Sequence, residues 1–379
     1  MKKIAITTLS NSINYGGILQ ACALNYVLKK YDCSVTFITH QAPTKLWNSA
    51  IAYAKRRIKL YGKPNLKNLI RLIGGMGKTY LSNIHIMERY VKIKKFKLFI
   101  NYHLNVTPYY RSFEEVKKYC SNFDVYITGS DQVWNTAFNF NQFDPVYFLE
   151  FVSSKKKKYS YAASAGGDKS NDYVKCIVDK TSDFSGISVR EQSLANQMNN
   201  LGANNVIIVL DPTLLLSSKD WLSYEKKPKM KLPKRYIAVY YLEKEADRDD
   251  VIKKVSSETG LPVINLLPVH AKAEYNSIKD FTTGPGEFLY YIHNAEYVIT
   301  NSFHAVVFSL IFKKKFIALP RVGQEARIRD LLGKLQLNNR LISNEKEVVA
   351  LYGELPDDIE NALNLSKKES VKFIENILK

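Results

Sequence analysis

The chain has no stretch of about 18 consecutive uncharged apolar residues, so nothing in it reads as a membrane-spanning helix. It has few cysteines: Cys22, Cys33, Cys120 and Cys176 are scattered, with no C-x-x-C spacing. That argues against a zinc site and a disulfide framework and favours a reducing cytoplasm. No His, Asp or Glu spacing demands a metal, and neither a metal nor a cofactor is expected. The G-x-G-x-x-G dinucleotide fingerprint is missing. Helix-turn-helix, zinc-finger and RNA-recognition signatures are missing too, which speaks against a nucleic-acid partner. The opening "MKKIAITTLSNSINYGG" carries an apolar run of only about five residues, too short for a signal peptide, and it reads as a first strand. Repeats of solenoid length are absent, as are low-complexity tracts apart from short lysine runs.

Acidic residues are scarce in one place. Between Lys45 and Ile100 stand 14 Lys or Arg and one acidic residue, Glu88, so this segment supplies +13 of the formal net charge of +19. Within it Trp47, Ile51, Ala54 and Ile58 share one helical face, beside the cluster Lys55, Arg56, Arg57 and Lys59. A basic amphipathic helix of this kind suits an anionic membrane surface or a diphosphate-bearing substrate. A solvated basic face is the plainer alternative.

What the chain does have is one plan repeated: strand, polar turn, helix. Its 379 residues exceed one ordinary core and predict two domains. "KIAIT" runs into an Asn-Tyr-Gly-Gly turn, then a helix with a buried stripe of Ile18, Leu19, Ala21, Cys22, Leu24, Val27 and Leu28. "DVYIT" ends at Gly129, Ser130 and Asp131, and "GISV" at Arg190 and Glu191. "VIIVL" ends at Asp211-Pro212, read as turn chemistry. The Lys- and Pro-rich "KDWLSYEKKPKMKLPKRY" reads as a linker.

Beyond the linker, "YIAVYYL", a charged helix from about residue 247 to 259 and "PVINLL" begin a second α/β unit. In "VITNSFHAVVFSLIF" a strand gives way to a helix at Asn301, Ser302 and His304. "QEARIRDLLGKLQL" is a helix carrying Arg327 and Arg329. Two helices are expected to close the chain, "PDDIENALNLS" and "KKESVKFIENILK". The predicted division is an α/β domain at 1–216 with a basic insertion near 45–100, a linker at 217–234, a second α/β domain at 235–355, and terminal helices at 356–379 able to pack back on the first domain. Two doubly wound domains facing across a cleft follow from this order. In such sheets ligands sit at the carboxyl ends of strands, where helix N-termini offer N–H groups to anions.

Several segments together resemble the polysaccharide pyruvyl transferase family: "NYGGILQACAL", "YITGSDQVWN", "SVRE" with "VLDPTLLL", and "GPGEFLYYIHNAEYVITNSFHAVVFSLIF". They run in order from about residue 4 to residue 340. The resemblance implies a GT-B-like fold, with an acceptor-side N-terminal domain and a donor-side C-terminal one. It also implies phosphoenolpyruvate as donor and a saccharide as acceptor, with its enolpyruvyl carbons ending as a cyclic ketal on two hydroxyls. The role implied is in exopolysaccharide or capsule biosynthesis, in the cytoplasm or on the inner face of the membrane. A lipid-diphosphate-linked acceptor fits the basic segment; a soluble one is the alternative.

By the same resemblance Arg190 and His304 are donor-site residues. Many members carry an arginine two residues before this histidine, where the present chain has Ser302; Arg327 or Arg329 is the expected replacement. His304 is the candidate general acid or phosphate contact. Asp131 is the candidate base for an acceptor hydroxyl, with an Asx-turn or helix cap as the structural alternative. Further substrate contacts are expected from Tyr15, Gly16, Gly17, Gln20, Gly129, Ser130, Trp134, Asn301 and Ser302. Gly284, Gly286 and Glu287 join them, Glu287 and Glu191 also being candidate helix caps. Tyr15 and Trp134 are read as platforms for a sugar face or, equally, as core residues. The other histidines show no polar constellation. Two rival functions are a nucleotide-sugar glycosyltransferase of the same shape and a non-catalytic binder of anionic polymer or lipid.

Overall fold

The computed structural model describes residues 1–10, 12–40, 86–139, 141–242, 248–266, 275–321, 325–350, 355–356 and 359–379. The expected basic face from Trp47 to Lys59 lies outside the described residues, as do His85 and His270.

Six strands form the first sheet: β1 (Lys2–Thr7), β2 (Cys33–Ile38), β3 (Val125–Asp131), β4 (Lys157–Ala163), β5 (Gly186–Val189) and β6 (Ile207–Ile208). They are all parallel, in the order β2-β1-β3-β4-β5-β6. The second sheet holds β7 (Ile237–Tyr240), β8 (Val263–Asn265), β9 (Ile278–Lys279), β10 (Tyr297–Thr300) and β11 (Lys315–Ala318). It too is parallel, in the order β11-β10-β7-β8-β9. Parallel sheets carry helices on both faces, so their central strands are buried throughout; every residue of β3 is. The strand order reverses beside β1 and β3 in one sheet and beside β7 and β10 in the other, which is where ligand crevices open.

The first domain's helices are α1 (Tyr15–Lys29), α2 (Ile86–His103), α3 (Phe113–Tyr119), α4 (Asn171–Lys180) and α5 (Gln192–Asn200). The second domain follows with α6 (Ser218–Leu222), α7 (Arg248–Thr259), α8 (Pro285–Asn294), α9 (Phe303–Ile311) and α10 (Ala326–Lys334), and α11 (Ile359–Leu378) ends the chain. Helix α1 is buried on nearly every side because it packs on its own sheet and also on α8 and α9 of the other domain. Tyr15 at its start stacks on Phe288 of α8 with ring centroids 4.4 Å apart. The two domains therefore share one apolar cluster that includes Ile18 and Leu19 from one side and Phe288 and Phe308 from the other.

Two local expectations change. The region read as a linker starts with a packed helix, α6, closed by a capping box between Ser217 and Asp220. Its Trp221 is fully buried, donates to the Thr213 carbonyl at 3.1 Å and meets Phe308 edge-on. The two terminal helices are one, α11, because the polar stretch Ser366–Ser370 contains no Gly or Pro to stop it. Ser370 instead donates back to the Ser366 carbonyl and accepts from Leu210 N–H at 2.9 Å, pinning α11 to the first domain. Helix α2, the described end of the basic segment, leans across to the second domain, where Lys95 pairs with Glu287 at 2.9 Å. Among the described residues no helix is long and apolar enough to cross a membrane.

Candidate active site

Four strand ends and two helix starts meet at one point. From β3 comes Asp131, held at φ +72°, a left-handed conformation costly for a residue with a Cβ. From β5 comes Arg190, and from the loop after β6 comes Asp211. The second domain contributes Phe303 and His304 from the first turn of α9, which follows β10, and Arg327 from α10. All of these side chains are buried.

Arg190 is the hub. Its Nη1 donates to Asp211 Oδ2 at 2.8 Å, Nη2 to Asp131 Oδ1 at 3.0 Å, and Nε to Glu191 Oε1 at 3.2 Å. A guanidinium has five N–H donors, so two remain after these three bonds. Its plane also faces the Phe303 ring at 4.7 Å, and Arg327 lies 5.8 Å from the same ring. Gln132, with its amide oxygen turned to Arg327, sits 2.9 and 2.8 Å from Nη1 and Nη2. His304 Nε2 stands 3.4 Å from Asp211 Oδ2, an ion-pair distance rather than a formed hydrogen bond. Gly16, at the start of α1, lies directly under this ring: a Cβ there would fall 2.0 Å from His304 Nδ1.

Electrostatics follow from the packing. Burial works against a charged Asp211, yet His304 and Arg190 outweigh it and hold the carboxyl well below its usual range. Asp131 is likewise held down, against burial, by Arg190, His304 and Arg327. Burial opposes the charge on Arg190, but Asp131, Glu191 and Asp211 raise its pKa further. Arg327 differs: burial, then the like charge of Arg190, lower it to about 10. It is still a cation at neutral pH.

The residues singled out in sequence divide into three groups. Gly16, Gly17, Ser130, Asp131, Arg190, His304 and Arg327 come together. Gly17 N–H is capped by Asn14 Oδ1 at 3.3 Å, and a Cβ on Gly17 would lie 3.6 Å from Asp131 Oδ2. Ser130 donates to Asp211 Oδ2 at 3.1 Å. A second group supports it. Gln20 donates to Thr8 Oγ1 at 2.8 Å and to the Gly17 carbonyl at 2.7 Å. Asn301 accepts from Leu242 N–H at 2.9 Å, and among the described residues its Nδ2 has no partner. Ser302 starts α9 without a side-chain cap bond. Gly129, at φ +109°, sits where a Cβ would strike the Tyr161 carbonyl oxygen at 2.2 Å.

The remaining side chains are held by other partners. Tyr15 is buried in the domain interface and donates to the Thr283 carbonyl at 3.0 Å; Trp134 is fully buried against Phe148. Neither ring presents a face to a sugar. Arg329 points outward, exposed, to Glu325 at 2.8 Å. Residues two apart on a helix face opposite ways, so Arg327 and Arg329 cannot serve one site. Glu287 caps its own helix through Gly284 N–H at 3.1 Å, and Gly286 is close-packed on Tyr224 and Lys226. Glu191 starts α5 without capping it; its side chain accepts from Arg190 and from Ser164 at 2.6 Å instead.

Asp211 was missed, because Asp-Pro before a hydrophobic run reads as a turn. Two other histidines also have partners that the sequence did not disclose: His40 pairs with Asp144 at 2.9 Å and His293 with Glu225 at 2.8 Å. Among the described residues no group of three His, Cys, Asp or Glu side chains could hold a metal ion.

The family model described as polysaccharide pyruvyl transferase matches residues 14–321. No curated protein matches the chain. Among solved structures, a UDP-GlcNAc 2-epimerase from Methanocaldococcus jannaschii is similar at 14% identity and a TM-score of 0.53, covering 100% of this chain and 99% of that one. The same enzyme in complex with UDP-GlcNAc and UDP gives 13% identity and a TM-score of 0.50, over 99% and 100%. At such identities the likeness shows the fold alone: two Rossmann-like domains in the GT-B arrangement.

Proposed function

Because the chain belongs to the polysaccharide pyruvyl transferase family, we propose that it moves the enolpyruvyl group of phosphoenolpyruvate onto two hydroxyls of a saccharide, leaving a pyruvate ketal. The observation that carries this reading is the convergence of Arg190 from one domain and His304 and Arg327 from the other at the carboxyl ends of both sheets. A small donor with a phosphate and a carboxylate needs cations and N–H groups from more than one side. Arg190 keeps two free donors, Arg327 adds a second buried cation, and the start of α1 lies beside His304 at Gly16.

The chemistry needs one proton at the donor's methylene carbon and one charge-stabilising environment. In the proposed sequence His304 gives a proton to the methylene, and the neighbouring carbon becomes an oxocarbenium-like centre. An acceptor hydroxyl adds there, phosphate departs, and the second hydroxyl closes the ring. The two hydroxyl protons are accounted for by the new methyl group, through His304, and by the released phosphate. Asp131, kept ionised, is the group proposed to take the proton of an attacking hydroxyl. No cofactor beyond the donor is invoked.

The acceptor is proposed to be a sugar of an exopolysaccharide or capsule precursor, made in the cytoplasm. The basic segment is proposed to draw it, or an anionic membrane surface, towards the cleft. A nucleotide-sugar donor is the second reading, and one observation weighs against it. The N-terminus of α8, one helix start at which a diphosphate could sit, is already filled by the Glu287 carboxylate and its partner Lys95. The test is phosphate release from phosphoenolpyruvate in the presence of candidate saccharides, followed by mass analysis. Three added carbons on the saccharide support the proposal; transfer from a nucleotide-sugar in place of phosphoenolpyruvate contradicts it.

A further inference from the structure

Asp211 lies in the loop after β6, on the first domain, yet its carboxylate faces a histidine of the second. Both oxygens are tied. Oδ1 accepts from Thr213 N–H at 3.1 Å and from Thr213 Oγ1 at 2.6 Å. Oδ2 accepts from Arg190 Nη1 at 2.8 Å and Ser130 Oγ at 3.1 Å, and it is this oxygen that stands 3.4 Å from His304 Nε2. Four hydrogen bonds from three residues leave the carboxylate no freedom to turn away, and no solvent reaches it.

We infer that Asp211 is a positioning residue, which keeps the proton of the neutral His304 ring on Nε2 and turns Nδ1 to the first turn of α1. A carboxylate opposite one ring nitrogen fixes the tautomer, and the other nitrogen is then the one free to exchange a proton with a ligand. The charged groups about the ring are Asp211 and Asp131 from the first domain's strand ends, with Arg190 and Arg327 beyond Phe303. Among the described residues Asp211 is the one that stands opposite Nε2. On the other side of the ring Gly16 packs so closely that a Cβ there would fall 2.0 Å from Nδ1, so Nδ1 faces the first turn of α1. The gap of 3.4 Å is longer than a formed hydrogen bond and within ion-pair distance.

The catalytic part of this inference rests on the donor reading above; the tautomer part does not. The experiment is nitrogen-15 NMR of the full chain labelled at histidine, with the pH raised until the ring signals are those of a neutral imidazole. The His304 signals are assigned by their loss in His304→Gln. The parent should show an Nε2-protonated ring, and Asp211→Asn should shift it towards a mixture or towards Nδ1–H. Turnover should fall about 100-fold in Asp211→Asn while KM for phosphoenolpyruvate stays within about threefold, since the loss is of acid positioning and not of donor binding. Ser130→Ala removes one of the bonds that aim Oδ2 without removing the charge. It should move the tautomer the same way by less, and it serves if Asp211→Asn does not fold. An Nδ1-protonated ring in the parent, or an unchanged tautomer in a folded Asp211→Asn, overturns the inference. A parent with Nε2–H that never turns over phosphoenolpyruvate leaves the tautomer assignment standing and removes the donor reading.

Discussion

Gly16 and His304 are 288 positions apart in the chain and touch in the fold. A methyl group at Gly16 would stand 2.0 Å from the imidazole, so Gly16→Ala must push the ring or the domain that carries it. We expect about 1–3 kcal/mol of destabilisation in thermal or urea unfolding, together with loss of most turnover. Arg190 invites a second test at the same scale. Three buried carboxylates depend on it, and removing one partner of a buried ionic group strands the others. Arg190→Met should therefore cost about 3–5 kcal/mol in urea unfolding. Arg190→Lys should recover only part of this, because a point charge cannot bond three carboxylates in a fork. Asp131 and Asp211 titrate below the unfolded value of about 3.9, so their stabilisation is complete above that pH and fades as pH falls further through the folded values.

At the level of elements, the strands and the turns after them were legible because buried parallel strands are continuous apolar runs and their ends are polar. Asp131, Arg190 and His304 were found in this way. The register between elements was not legible. Arg327 and Arg329 look alike in sequence, and only the rotation of α10 puts one in the cluster and the other in solvent. Tyr15 and Trp134 stand beside polar turns, as ligand platforms do, but α8 and Phe148 cover them. No local pattern distinguishes the Asp-Pro of a turn from an Asp whose carboxylate binds across the sheet.

Helix α2 offers its own prediction. Lys92 is buried over the Tyr15 ring at 4.8 Å, and burial lowers its pKa to about 8. The unfolded chain, with a lysine near 10.4, binds the extra proton between these values, so stability rises with pH across that interval. At pH 7 the charged form costs on the order of 3 kcal/mol, offset in part by the cation–π contact. Lys92→Met should thus be more stable than the parent at pH 7, and the difference should shrink as pH approaches about 10. Urea unfolding at the two pH values measures it.

At the scale of the whole molecule, the site exists only because two domains, joined by a packed α6 and pinned by α11 and α2, bring the carboxyl ends of two sheets face to face. Each half alone holds an incomplete set: Arg190 with three carboxylates on one side, His304 and Arg327 on the other. Binding of phosphoenolpyruvate tests this most directly. Titration calorimetry on the parent, His304→Ala, Arg327→Ala and Arg329→Ala should show donor binding by the parent and by Arg329→Ala, with a loss of at least about tenfold in each of the other two. A parent that does not bind phosphoenolpyruvate, or His304→Ala and Arg327→Ala proteins that bind it as tightly as the parent, would contradict the account.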